Sequence, residues 1–324
     1  MAPEQTDVSS TPAALSTPGV VVVGSISMDL TAYASRLPAR GETILGDDFT
    51  LVLGGKGANQ ATAVARAGAR AVMVGCVGDD VFATLATDAL RTAGVDLRHV
   101  VSVPGATGVA HIRVDSSGEN DIIVVPLANT QLAEDQIDVA LGARADCSVL
   151  LTQLEVPWPM TRYAIEQGHL AGVTVILDPA PAAVLEPSVW PLVDLVTPNE
   201  TEASALTGID VVDVASAVAA GRFFTSHGAR HSLITLGGSG AVLVSAEDVQ
   251  EFAPIRVDAV DTTAAGDAFA GYLGASLALG RSLPDAISRA VAAGALAVTA
   301  RGASASIPHD TDVDALLATV AVEG

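Results

Sequence analysis

Leu51-Val52-Leu53-Gly54-Gly55-Lys56-Gly57-Ala58-Asn59-Gln60 carries a short apolar run into a helical stretch across a glycine-rich corner. An apolar run bounded by glycines reads as a strand, and the spacing over 59–67 reads as a helix. The glycines let a ligand approach the backbone closely. Lys56 puts a compact cation on a flexible stem there, and Asn59 adds donors and an acceptor. Lys56 is the only lysine in the chain; arginine supplies the other strongly basic side chains. The spacing differs from the phosphate loop G-x-x-x-x-G-K-[ST], and no Ser or Thr follows the lysine. Read alone, the segment is equally a tight turn bearing a solvated lysine.

The same alternation extends on both sides. Apolar runs at 20–23, 71–77, 148–154, 173–177, 192–196, 233–236 and 241–244 have the length of buried strands. Helical spacing falls between them at 81–92, 159–171 and 213–226, and again at 267–279 and 283–299. This predicts βαβ units: an α/β fold with a mostly parallel central sheet and helices on both faces. Two segments break the rhythm. Residues 29–53 hold Pro38, Gly41 and Gly46 between short alternating stretches. Residues 108–129 read as a hairpin, His111-Ile112-Arg113-Val114 and Ile122-Ile123-Val124-Val125 about the turn Asp115-Ser116-Ser117-Gly118. Together they predict a small β-sheet lid over the ligand-binding edge. Residues 19–324 form one domain in this reading. Residues 1–18, rich in Ser, Thr, Pro and Ala without a basic start or apolar centre, are expected to be a disordered tail rather than a secretory signal.

Val260-Asp261-Thr262-Thr263-Ala264-Ala265-Gly266-Asp267-Ala268-Phe269 is the second decisive stretch. Small residues before an apolar helix expose the amides of Ala264, Ala265 and Gly266 at a helix N-terminus, where the dipole favours an anion. A carboxylate beside a bound anion is repelled, so Asp267 suits the task of taking a proton from a nucleophile attacking that anion. An anion cradle with an adjacent base fits phosphoryl transfer to a hydroxyl. In open α/β sheets ligands bind beyond the carboxyl ends of strands. Asp29, Glu155, Asp178, Asn199, Glu202 and residues Thr235 to Gly240 all follow predicted strands. Each alone reads as a cap or turn former, which is the default for Asp178. As a set they predict one shared site.

Composition narrows the classes. The chain has 324 residues, half of them apolar, with a formal net charge of −21. That charge excludes a basic nucleic-acid footprint or attachment to an anionic membrane, and the few aromatics offer little stacking surface for bases. Positive potential must therefore be local: Lys56, helix N-termini and bound cations. Cys76 and Cys147 are isolated in apolar runs and read as buried core thiols. His227 and His231 straddle Gly228, which argues against a zinc pair. No apolar run is long enough to span a membrane, and the expected location is the cytoplasm. A nicotinamide-dependent dehydrogenase would need G-x-G-x-x-G after the first strand, where this chain has Gly24-Ser25-Ile26-Ser27.

These residues resemble the ribokinase group of the PfkB sugar-kinase family, from Val20 to about Pro308. The resemblance is carried by Gly24-Ser25-Ile26 with Asp29, Pro38 with Gly41-Glu42-Thr43, Gly54 to Gln60, Gln153-Leu154-Glu155, Asp178-Pro179-Ala180-Pro181-Ala182, Thr197-Pro198-Asn199-Glu200-Thr201-Glu202, Thr235-Leu236-Gly237, Asp261 to Asp267, and Ala297-Val298-Thr299 with Gly302. It implies a ribokinase-like fold, ATP-dependent phosphorylation of the 5-hydroxyl of D-ribose, and Asp267 as general base. It implies an anion hole at Ala264, Ala265 and Gly266, and a sugar pocket of Ser27, Asp29, Gly55, Lys56, Gly57, Ala58, Asn59, Glu155 and Asp267. ATP is expected at Asn199, Thr235, Leu236, Gly237, Gly238, Ser239, Gly240, Gly266, Asp267 and Val291. Glu202 resembles the residue that positions hydrated Mg²⁺. A K⁺-type ion is implied at Asp261, Thr263, Ala297, Ala300, Gly302 and Ser306, mostly through carbonyls. The resemblance also implies a homodimer paired through the lids.

Ser27 stands where the family usually carries asparagine, and it lacks the amide. Specificity follows hydroxyl pattern strongly, so another small sugar, such as deoxyribose, a ketose or a nucleoside, is the alternative substrate. A non-catalytic sugar or nucleotide sensor is the rival of a different class.

Overall fold

The computed structural model describes residues 19–142 and 147–323. The expectation of a disordered tail over 1–18 lies outside the described residues. The strands are β1 (Gly19–Val23), β2 (Ser27–Tyr33), β3 (Asp48–Gly54), β4 (Arg70–Val77), β5 (Asp96–Ser102), β6 (Gly108–Val114), β7 (Asn120–Val125), β8 (Cys147–Thr152), β9 (Thr174–Leu177), β10 (Leu195–Val196), β11 (His231–Thr235), β12 (Ala241–Val244) and β13 (Val249–Phe252). The α-helices are α1 (Lys56–Arg66), α2 (Val81–Thr92), α3 (Glu134–Gly142), α4 (Trp158–Ala171), α5 (Glu200–Thr207), α6 (Val214–Ser226), α7 (Ala265–Ala278), α8 (Leu283–Ala297), α9 (Ala303–Ser306) and α10 (Asp310–Glu323).

Nine strands form the main sheet in the order β13-β12-β11-β10-β9-β8-β1-β4-β5. Pairing is parallel from β5 through β11 and antiparallel at β12 and β13. The valine run of β1 explains why such strands read as unbroken apolar stretches: both faces are covered. Val20 and Val22 join a core with α1, α7 and α8. Val21 and Val23 join a second core with α3, α4 and α6 on the opposite face. Tyr272 and Phe224 are fully buried, one in each core.

A second sheet of four strands, β3-β2-β6-β7, lies apart from the first. Its central strand β2 pairs antiparallel with β3 and parallel with β6. Ser27 pairs with Gly54 on one side and Gly108 on the other, so this sheet starts at Ser27. Its outer strand β7 leaves Ile122, Ile123, Val124 and Val125 exposed, and Phe49 and Leu51 are exposed on β3.

Some boundaries differ from the sequence reading. Only Leu195 and Val196 of the run 192–196 are strand, because Pro187–Leu192 forms a 3₁₀ turn with Pro191 inside it. Edge strand β5 is half-polar, with Asp96, Arg98 and His99, and carries no apolar signature. Cys76 is buried, but Cys147, at the start of β8, is only half-buried.

Candidate active site

The corner that opens α1 is built by close backbone contact. A Cβ on Gly57 would lie 2.6 Å from the backbone of Gly24 and Ser25, so only glycine lets α1 begin against the β1–β2 turn. The Ala58 amide donates to Ser25 O at 2.9 Å, and Gly55 O accepts the Asn59 amide at 2.9 Å. Glu155, just beyond β8, locks the corner: its Oε2 accepts the Lys56 amide at 2.9 Å and the Ser25 hydroxyl at 2.5 Å. Asp29 on β2 lies over Gly54, where a Cβ would fall 1.9 Å from Asp29 Oδ1. Burial, then the carboxylates of Glu155 and Asp267, push the Asp29 carboxyl up to about 7, opposed by a hydrogen bond from Ser27.

Across from this corner stands the N-terminus of α7. Ala264, its cap, is left-handed with φ 60° and offers no side-chain cap. Such a conformation costs a non-glycine residue about 1–2 kcal/mol and tends to cluster at functional sites. The first helical bond runs from the Ala268 amide to Ala264 O at 2.8 Å. The amides of Gly266 and Asp267 therefore precede the helical ladder. Ala265, expected in the cradle with its amide exposed, instead donates to Thr262 O at 3.3 Å. A Cβ on Gly266 would meet nothing within 4 Å, so the helix end faces open space.

Asp267 is buried, and its carboxylate faces the α1 corner. Oδ2 accepts Asn59 Nδ2 at 2.9 Å, and Oδ1 accepts Gln60 Nε2 at 3.1 Å. Lys56 Nζ stands 3.8 Å from Asp267 Oδ1 and 3.9 Å from Asp178 Oδ2. Burial alone would lower the lysine, but the carboxylates of Asp267, Asp178, Glu155 and Glu202 outweigh it and hold the ammonium above its ordinary value. Asp178 caps no helix. It is buried, accepts Gln60 Nε2 at 2.7 Å, and is pushed up to about 7 by burial, against the pull of Lys56.

Lys56, Asp178 and Asp267 line a cleft of about 220 Å³ whose walls also include Asn199, Glu202, Thr235 and Gly266. Asn199 and Glu202 form a reciprocal capping box on α5, each amide donating to the other's side chain at 2.9 Å. Asn199 also bridges to Thr235 at the end of β11. Gly237–Ser239 make a short 3₁₀ turn after it, closed by the Leu236 amide donating to Gly240 O at 2.8 Å. Val291 sits half-buried on α8 against the core and is not among the residues lining the cleft.

Of the residues expected around a monovalent cation, Asp261 ties Thr263 and Gly302 together. Its Oδ1 accepts the amide and hydroxyl of Thr263 at 2.9 and 2.6 Å, and its Oδ2 accepts the Gly302 amide at 3.0 Å. Ala297 O accepts the Ala300 amide at 3.4 Å, and Ser306 is buried in α9. Among the described residues, no group of three or more His, Cys, Asp or Glu side chains could hold a metal ion. Sequence reasoning placed Asp178 in the shared site with a cap as its default role and gave no separate role to Gln60 and Gln153; Gln60 meets Gln153 and Asp178 only because α1 and the ends of β8 and β9 converge.

Residues 17–310 match the model of the pfkB family carbohydrate kinases. A ribokinase of Haemophilus influenzae is 38% identical over 290 residues, 89% of this chain and 95% of that protein. A deoxyribokinase of Salmonella typhi is 35% identical over 291 residues, 89% of this chain and 95% of that protein. A solved Arabidopsis thaliana ribokinase, complexed with ribose and ATP, is 32% identical and superposes with a TM-score of 0.86 over 93% of this chain and 99% of that one. A lysine corner, a carboxylate at an open helix N-terminus and sequence similarity along nearly the whole chain lead to one assignment: the chain belongs to the PfkB family of carbohydrate kinases.

Proposed function

We propose that the chain transfers the γ-phosphoryl of ATP to the 5-hydroxyl of D-ribose, with Asp267 as general base. One observation carries this reading: the buried Asp267 carboxylate lies in the first turn of α7, at its open end, and is bonded directly to Asn59 of the sugar corner. Asp29, Glu155 and Asn59 bind the sugar hydroxyls. Asn59 Oδ1 is buried with no partner among the described residues, which suits an incoming hydroxyl donor. Asp267 takes the proton of the attacking hydroxyl. The Gly266 and Asp267 amides and Lys56 stabilise the negative charge of the transferring group.

ATP, bound with Mg²⁺, supplies the phosphoryl group. Glu202 fits a hydrated magnesium, since that ion keeps several waters and needs few protein carboxylates. Asn199 and the turn after β11 hold the nucleotide. The Asp261 carboxylate and the backbone carbonyls of Ala297, Gly302 and Ser306 offer the oxygen donors that suit a hard monovalent cation such as K⁺. The exposed apolar strand β7 favours a homodimer closed through the smaller sheet, because open edges of this kind invite pairing. We assign the enzyme to the cytoplasm, where ATP is available; among the described residues no helix is long and apolar enough to cross a membrane.

An ATP-consumption assay on ribose, 2-deoxyribose, ketoses and nucleosides tests this. Ribose should give the highest kcat/KM; faster turnover of 2-deoxyribose would favour the alternative instead. Asp267→Asn should bind sugar yet lose ~10²–10⁴-fold in turnover. Near-normal turnover by that variant would remove Asp267 from the role.

A further inference from the structure

Gln60 has no exposed surface and does not line the cleft, yet it touches both of the cleft's buried aspartates. Its Nε2 donates to Asp178 Oδ2 at 2.7 Å and to Asp267 Oδ1 at 3.1 Å, while its Oε1 accepts Gln153 Nε2 at 2.5 Å. An ionised carboxylate only accepts, so the nitrogen of Gln60 must face the aspartates and its oxygen must face Gln153. Gln153, also fully buried, must then turn its own nitrogen to Gln60. Its Oε1 is left without a partner among the described residues, pressed against Gly24, where a Cβ would fall 2.1 Å away. A buried unpaired acceptor is costly. The fold tolerates it, and the amide remains aimed at Gln60.

We infer that Gln153 and Gln60 form an amide chain that aims the Asp267 carboxylate, making Gln60 a positioning residue for phosphoryl transfer. This rests on the reading of Asp267 as the base. Lys56 approaches the same two carboxylate oxygens, but it is 27% exposed at the cleft. An anionic phosphate entering the cleft competes for the lysine. It does not reach Gln60, whose bonds to the carboxylates persist.

The surroundings explain why a sealed donor is needed. Asp178 shares Lys56 and Gln60 with Asp267, and Asp29, Glu155 and Glu202 add negative charge around the same cluster. On α8, packed along α7, Arg289 is turned instead to Asp310 and Asp314. On α1, Arg66 reaches the carbonyls of Ser304 and Ile307. Strand β1 has no ionisable side chain, and β8 has only Cys147 at its far end. Lys56, Asn59 and Gln60 are thus the groups that bond to or pair with the two aspartates.

The test is the pH profile of kcat for Gln60→Met and Gln153→Met in the full chain. Hydrogen bonds to a charged form favour it, so their loss should move the acid limb of kcat upward by about one unit for Gln60→Met, and by less for Gln153→Met. Below the limb turnover falls about tenfold, and at alkaline pH it recovers, with KM for ribose and ATP within about threefold of wild type. A kcat lowered equally at every pH, a change in KM alone, or a wild-type profile overturns the inference. If Gln60→Met does not fold, the limb of Gln153→Met decides, and an unshifted limb overturns it. Asp267→Asn separates the two claims. Retained turnover there sinks the base itself, whereas lost turnover there with unshifted glutamine variants sinks only the amide chain.

Discussion

Asp29→Asn should make the ligand-free protein more stable at alkaline pH and a poorer binder of sugar. In the folded chain the Asp29 carboxyl is raised from 3.8 to about 7, chiefly by burial. The unfolded chain ionises near the ordinary value, so between these limits the folded state holds a proton that the unfolded state has lost. Stability contributed by this group is complete below the unfolded value and is lost as pH rises through the folded one. Asparagine carries no such dependence. The gap between variant and wild type should therefore open from about pH 4, widen to about pH 7 and stay level above, reaching on the order of 2–4 kcal/mol. In thermal unfolding that is a rise in Tm of about 3–6 °C at pH 8 for a chain of this size, and almost none at pH 4. Calorimetry in matched buffers measures it. An Asp29→Asn variant that is less stable than wild type at pH 8, or a gap that ignores pH, would refute the argument that burial and like charge strain this carboxylate. Sugar titrations on the same samples should show weakened binding, because the strained charge is the acceptor for the hydroxyls.

Two further outcomes concern assembly and ions. Activity should rise with K⁺ and far less with Na⁺ if the site proposed around Asp261 holds; full turnover in K⁺-free buffer would remove that site. Ile112→Asp places a charge on the smaller sheet beside Ile122, its cross-strand partner, and should weaken dimerisation and raise the sugar KM together, as seen by sedimentation and steady-state kinetics. A wild-type monomer at micromolar concentration with normal sugar affinity would show that the sheet needs no partner.

The parallel centre of the fold was legible because β1, β4, β8 and β9 are covered on both faces and must be apolar throughout. Helix α2 was legible to the residue, since Asp80 caps it by accepting the Ala83 amide. The edges were not. Strand β5 needs only one covered face, and β13 is four residues long, VQEF. Within the site, Lys56, Asn59 and Asp267 were marked by composition and by glycine spacing. Asp178 looked like a cap because its local sequence permits one; its real partners, Lys56 and Gln60, lie more than a hundred residues earlier in the chain. The link from Gln60 to Asp267 spans 207 residues. No local pattern encodes that contact, which depends on two helices meeting across the end of the sheet.

The solitary lysine has a chemical consequence beyond phosphoryl transfer. Acylating and carbamylating reagents attack a neutral amine, and a lysine becomes reactive when its pKa is lowered. Here the one lysine is held charged between Asp267 and Asp178, and every other Lys/Arg position is a guanidinium. Outside the α-amino group, amine-directed labelling has a single, guarded target. Biotinylation or covalent coupling through lysine would not decorate the surface of this protein; wherever it succeeded, it would report that the bridge between the two aspartates had opened.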